Sequence, residues 1–149
     1  MKGEEFRRSV YVQVRRSRPL AVLDTFDWPR MSPNCDLRHT STATPQSLML
    51  MNSDFVLASS RQFAGRVRMD AGDDRPAQVR HAWRLAFTRE PTESELASAA
   101  TFLEEQTAVF AQRALQQTEK KEGTPPPEHL ALASLCQMLL SSNEFLYVD

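Results

Sequence analysis

Apolar residues fall into a helical rhythm from about residue 45 onward and lack one before it. Thr44-Pro45 reads as a helix start. A threonine hydroxyl can accept a hydrogen bond from an early N–H, and proline at the first helical position lacks a donor that would be orphaned anyway. Leu48, Met49, Leu50 and Met51 follow. Such a run covers most of a helix circumference and predicts burial on nearly all sides. Asn52-Ser53-Asp54 is a second start signal, so a break is expected near Asn52, then a helix to about Met69. Phe55, Val56, Phe63 and Val67 are predicted to share its buried face, with Ser59 and Ser60 beside them allowing close approach.

The same reading continues down the chain. Asp70 to Arg75 (DAGDDR) is a turn, and Pro76 opens a helix on which Val79, Ala82, Trp83, Ala86 and Phe87 follow the i, i+3, i+4, i+7, i+8 pattern. Thr88-Arg89-Glu90-Pro91 ends it. Thr92 with Glu95 forms a T-x-x-E capping box, in which hydroxyl and carboxylate satisfy each other's backbone N–H groups. It begins a long helix to about Thr118, with Leu96, Ala99, Ala100, Leu103, Thr107, Phe110, Ala111 and Ala114 as its buried stripe. A polar, Pro-rich linker follows, and a last helix starts near Pro127 with Leu132, Leu135, Cys136, Leu139 and Leu140 on its face. The final NEFLYVD is expected to dock Phe145, Leu146 and Tyr147 on the bundle.

Residues 1–44 read differently. Val10, Val12 and Val14 alternate with Tyr11 and Gln13, which favours an extended or strand-like segment, although Phe6, Val10 and Val14 also fit a helical face. Residues 24–44 carry Pro29, Pro33 and the turn formers Ser32, Asn34 and Asp36. An irregular run of about 20 residues is uncommon inside a compact domain. Phe26, Trp28, Met31 and Leu37 supply anchors for an ordered loop. The fold expected is mainly α, a bundle of about five helices with an extended N-terminal segment and a long ordered loop. Its organisation is a single domain: segment and loop over 1–44, helices over 45–118, linker over 119–127, and helix and turn over 128–149.

Composition narrows the function. The chain has 149 residues, a net charge of −1 and only 4 glycines. Near-neutral charge gives no general pull towards nucleic acid, and glycine scarcity argues against phosphate loops. Arg7, Arg8, Arg15, Arg16 and Arg18 form a local basic patch, read first as a solvated rim, with no nucleic-acid partner expected. No apolar run approaches the roughly 18 residues of a membrane span, and MKGEEFRRS lacks an apolar signal core. Cys35 and Cys136 read as two thiols in a chain without a signal, with a disulfide left open.

Candidate chemistry gathers in the loop. Asp24, Asp27, Cys35, Asp36 and His39 combine carboxylate, thiol and imidazole, which could ligate zinc or iron. Their spacing matches no standard ligand motif, so the plainer reading pairs Asp27 with Arg38 or an N-terminal arginine and buries Cys35 as an anchor. No metal and no cofactor are therefore expected. Cys35 and His39 make a weak nucleophilic pair without an orienting third group. Trp83 fits core packing, and Trp28 is open to packing or stacking on a ligand. His81 reads as a surface or satisfied histidine, and His129 as exposed.

RRSVYVQVRRSRP, FDWP, NCDLRHTST, TPQSLMLMNSDFV, WRLAFTREPTESEL and LCQMLLSSNEFLYVD together resemble a planctomycete-type domain of unknown function found in large exported proteins, often with a cytochrome-c-like domain. The chain resembles the C-terminal portion of that domain. No C-x-x-C-H occurs here, so nothing in this chain attaches haem. The resemblance implies a largely helical fold, an exported multi-domain parent, and partnership with its upstream domains, and it reopens the disulfide question. It carries over no activity. It places Phe26, Asp27, Pro29, Cys35, Arg38, Pro45, Gln46 and Asn52 at family motif positions. Asp27, Trp28, Cys35, Arg38, Gln46 and Asn52 are the binding candidates. The function expected is a structural or interaction module that contacts a protein or polysaccharide partner. The alternative is a metal- or carboxylate-dependent enzyme site on the 24–44 loop.

Overall fold

The computed structural model describes residues 11, 43–116 and 124–147. The chain divides into two units, Met1–Met49 and Leu50–Asp149, and each is described by itself. The N-terminal extended segment, the loop over 24–42 and the first part of the Pro-rich linker lie outside the described residues. Tyr11 adopts a 3₁₀ conformation and is exposed, so the strand reading does not hold at that position. The described elements are all helical: α1 (Ala43–Asn52), α2 (Asp54–Ala71), α3 (Arg75–Phe87), α4 (Glu93–Gln116), α5 (Pro127–Leu140) and α6 (Asn143–Leu146).

Local chemistry sets the helix ends. Ser53 is extended and caps α2, its Oγ accepting from the Val56 N–H at 3.5 Å. α2 stops at Gly72, whose φ of 68° lies in the left-handed region that glycine enters without a Cβ penalty. Asp74 caps α3 by accepting from the Ala77 N–H, and Pro76 occupies the first turn. α3 ends at Thr88, a non-glycine residue at φ 58°. Its N–H donates to the Arg84 carbonyl, and its hydroxyl donates to the Phe87 carbonyl. Thr92 and Glu95 form the expected reciprocal box: the Thr92 N–H donates to Glu95 Oε2 at 2.7 Å, and the Glu95 N–H donates to Thr92 Oγ1 at 3.2 Å.

In the second unit the core lies around α5. Ala131, Leu132, Ala133, Leu135, Cys136 and Leu139 are all buried, which covers nearly the whole circumference of that helix. α2 and α4 pack along it, and α3 closes against both of them. α2 presents Ser60, Ala64 and Val67. Ser60 is small enough for close approach, and its hydroxyl donates back to the Val56 carbonyl at 2.7 Å, so burial leaves no unmet donor. α3 contributes Val79, Ala82 and Trp83, with Ala86 and Phe87 packed behind, as its periodicity predicts. The Trp83 ring meets Phe87 edge-on at 6.0 Å. α4 is buried only at Ala99 and Leu103, while Ala100 and Ala114 of its predicted stripe are exposed. Cys136 is a free thiol with no exposed surface, and burial pushes its pKa up to about 12.

Two other expectations are corrected. The Leu48–Met51 run is not buried all round: Leu50 is buried, Met49 is intermediate, and Leu48 and Met51 are 62% and 63% exposed. Burial follows a single face, on which Gln46 and Leu50 lie one turn apart. Phe55, assigned to the buried face of α2, is exposed. That face instead runs Val56, Ser60, Phe63, Ala64, Val67, and Phe55 falls off it.

Leu135→Ala should cost about 2–5 kcal/mol, the usual range for a fully buried leucine. Leu115→Ala, at a side chain 88% exposed, should stay within about 0.5 kcal/mol of the parent. Urea melts of both variants measure the contrast, and equal losses would contradict α5 as the centre of the core.

Candidate functional site

The binding candidates from the sequence do not assemble into one described site. Asp27, Trp28, Cys35 and Arg38 lie outside the described residues, as do Asp24, Asp36, His39 and the arginines at 7, 8, 15, 16 and 18. Gln46 is buried in α1, and Asn52 is exposed at its C-terminal end. Among the described residues, no group of three His, Cys, Asp or Glu side chains is placed to hold a metal ion. His81 Nε2 lies 3.1 Å from Asp70 Oδ2, and Arg66 Nε approaches the same carboxylate at 3.6 Å. His81 is therefore a satisfied histidine, as expected. His129 is half-buried rather than exposed, because it sits in the first turn of α5 among its neighbours.

The strongest electrostatic grouping centres on Arg89, which the sequence reading passed over. It lies in the turn between α3 and α4. Its Nη1 and Nη2 donate to Glu95 Oε2 and Oε1 at 2.9 and 2.7 Å. Its Nε and Nη2 donate to Glu144 Oε1 and Oε2 at 2.6 and 2.9 Å. One planar guanidinium thus makes two bidentate contacts, to the first turn of α4 and to α6. It also lies 5.5 Å from the centre of the Phe87 ring. Beside it Arg84 pairs with Glu90.

These contacts control ionisation. Hydrogen bonds from Arg89, then from the Thr92 backbone, hold the Glu95 carboxyl far below the usual carboxylate range. Glu144 is lowered mainly by its hydrogen bonding to Arg89, and Arg89 is raised mainly by Glu95 and then by Glu144. The indole Nε1 of Trp83 is buried without a formed hydrogen bond. It nevertheless lies close enough to Glu95 to help keep that carboxylate charged, so we read it as an electrostatic neighbour. All three charged groups stay ionised at neutral pH, so none is poised to exchange a proton there. Their effect is to fasten helix ends.

α6 is fastened in the same way. Ser142 caps it, accepting from the Phe145 N–H at 3.4 Å and donating to the Leu139 carbonyl at 2.7 Å. Phe145 and Tyr147 were expected to dock on the bundle, but both are exposed, and Leu146 is intermediate. The segment is held by Glu144 and its caps rather than by aromatic burial. At the same end of α5, Gln137 Nε2 donates to the Met51 carbonyl at 3.1 Å and draws the end of α1 to the last turns of α5. Met51, Met138 and Phe145 are all exposed in this part of the unit.

A family model described as PSD1, protein of unknown function (DUF1553), matches residues 1–103. The chain belongs to the DUF1553 family. The match spans the capping box of α4 and the motifs before it, while LCQMLLSSNEFLYVD, which also carried the resemblance, lies beyond the matched residues. No curated protein matches the chain, and no solved structure does. No helix among the described residues of this DUF1553 chain is long and apolar enough to cross a membrane.

Because folding depresses the pKa of Glu95 and Glu144, their contribution to stability is complete above the unfolded carboxylate value of about 4.3. It is lost as pH falls from there through the folded values. Urea midpoints at about pH 7 and about pH 3 should differ less in Glu95→Gln than in the parent chain. An unchanged difference would show that Glu95 is not held ionised. Thr92→Ala should lower stability by about 1 kcal/mol through loss of the cap.

Proposed function

We propose that this chain is a helical interaction module of an exported, multi-domain protein, and that it packs against another part of that longer polypeptide. The observation that carries the reading is the exposure of Met51, Met138 and Phe145 near the C-terminal end of α5, which we read as one apolar edge. It lies where Gln137 fixes the end of α1 to α5 and where Arg89 fixes α6. Large apolar side chains on a pre-organised support suit a protein contact, and methionine adapts its shape to what it meets. Membership of a family of unknown function adds no activity, and the resemblance to exported multi-domain proteins supports both the setting and the choice of partner. The ion pairs of the described unit serve its own helix ends, which fits a module better than a reaction centre.

Methionine oxidation by dilute peroxide tests this. Met69, at 79% exposure on α2, serves as an internal reference. In the longer parent protein, Met51 and Met138 should oxidise at least several-fold more slowly relative to Met69 than they do in residues 1–149 alone. Equal relative rates in the two proteins would mean that nothing in the parent covers this edge.

A further inference from the structure

A cleft of about 360 Å³ opens among the end of α2, the first turn of α3, the middle of α4 and the first turn of α5. That volume lies at the lower end of the range for small-molecule sites. Its floor is apolar, since Leu103 and Leu132 are both core residues. Gln78 lines it while only 8% exposed. The Gln78 Nε2 donates to the Gly72 carbonyl at 2.5 Å, which fixes the carboxamide.

Charges at the rim divide into committed and uncommitted groups. Arg68 is committed to Asp73, with Nε and Nη2 each 3.0 Å from Oδ1. Arg75 and His129 also line the cleft, and among the described residues neither side chain makes a hydrogen bond or ion pair. Arg75 offers a planar donor fork that matches a carboxylate, and a neutral imidazole offers one further N–H. Glu128 is the remaining charge among the described rim residues. Among the described residues, Arg68 and Arg75 against Asp73 and Glu128 leave the rim close to neutral. A polyanion gains little there, whereas one anionic group beside an apolar body meets an uncommitted cation beside an apolar floor.

We propose that this cleft binds a small monocarboxylic acid, its carboxylate on Arg75 and His129 and its apolar body over Leu103 and Leu132. The proposal is independent of the apolar edge, which lies at the other end of α5.

Benzoate is the probe. Titration into residues 1–149, followed by ¹H–¹⁵N NMR at the Gln78 side-chain amide, should give saturable shifts in the millimolar range. Benzamide has the same size without the charge and should bind about tenfold more weakly or less, because it cannot form the charge-assisted pair. Arg75→Ala should abolish the benzoate shifts. Arg80→Ala, an exposed position on the same helix that does not line the cleft, should retain them. Non-saturable shifts, equal binding of benzamide, or retention in Arg75→Ala would each overturn the proposal. Inorganic phosphate is titrated in parallel. A response to phosphate that equals or exceeds that to benzoate would show a general anion site and likewise overturn it.

Discussion

The burial of α5 on almost every side is the constraint on which the second unit depends. A helix covered all round cannot carry polar residues over most of its length, and Ala131-Leu132-Ala133 with Leu135-Cys136 meets that demand. The mixture of alanine and leucine also sets distances, because alanines let neighbouring helices approach and leucines fill the grooves between them. α2 answers with Ser60 and Ala64, which are small, before the larger Val67. α3 then supplies the bulk that the small residues leave to be filled, through Trp83 and Phe87.

Around that core, polar interactions place helix ends rather than supply most of the cohesion. Ser53, Asp74, Thr92 with Glu95, and Ser142 each satisfy backbone donors where a helix starts. Arg89 extends the same task across the fold. Its contacts are partly exposed, so salt screens them, and their value lies in geometry as much as in energy. A bidentate fork fixes angle as well as distance, so the turn after α3, the start of α4 and the C-terminal turn are held in one arrangement.

How much of this could be read from sequence depends on the range of each interaction. The caps at Ser53 and at Thr92 with Glu95 were legible because donor and acceptor sit three residues apart, within a recognisable word such as T-x-x-E. Asp74 and Ser142, by contrast, were not read as caps. The face of α3 was legible because its periodicity is strong and its neighbours agree with it. On α5, Leu132, Leu135, Cys136 and Leu139 were legible for the same reason, but the burial of Ala131 and Ala133 on its other sides was not. Leu48 to Met51 misled because a run of apolar residues reports affinity for an interior and says nothing of how many sides are covered. Phe55 misled because hydrophobicity outweighed its angular position. Arg89 and Glu144 are 55 residues apart, and no local pattern joins them. Glu95 was read as a cap, but that its carboxylate also receives a guanidinium is a property of the folded chain. The cleft is equally tertiary, since its walls come from four helices. The loop candidates Asp27, Trp28, Cys35 and Arg38 lie outside the described residues.

Cys136 gives the core a chemical voice. Its thiol has no exposed surface, and burial keeps it protonated at neutral pH. Alkylating reagents and disulfides require a reachable thiolate. In the closed molecule that species is absent twice over, once by access and once by protonation. Labelling at this sulfur can therefore proceed only through openings that pull α5 out of its packing. Where reclosing outruns labelling, its rate is a clock set by the equilibrium population of those openings.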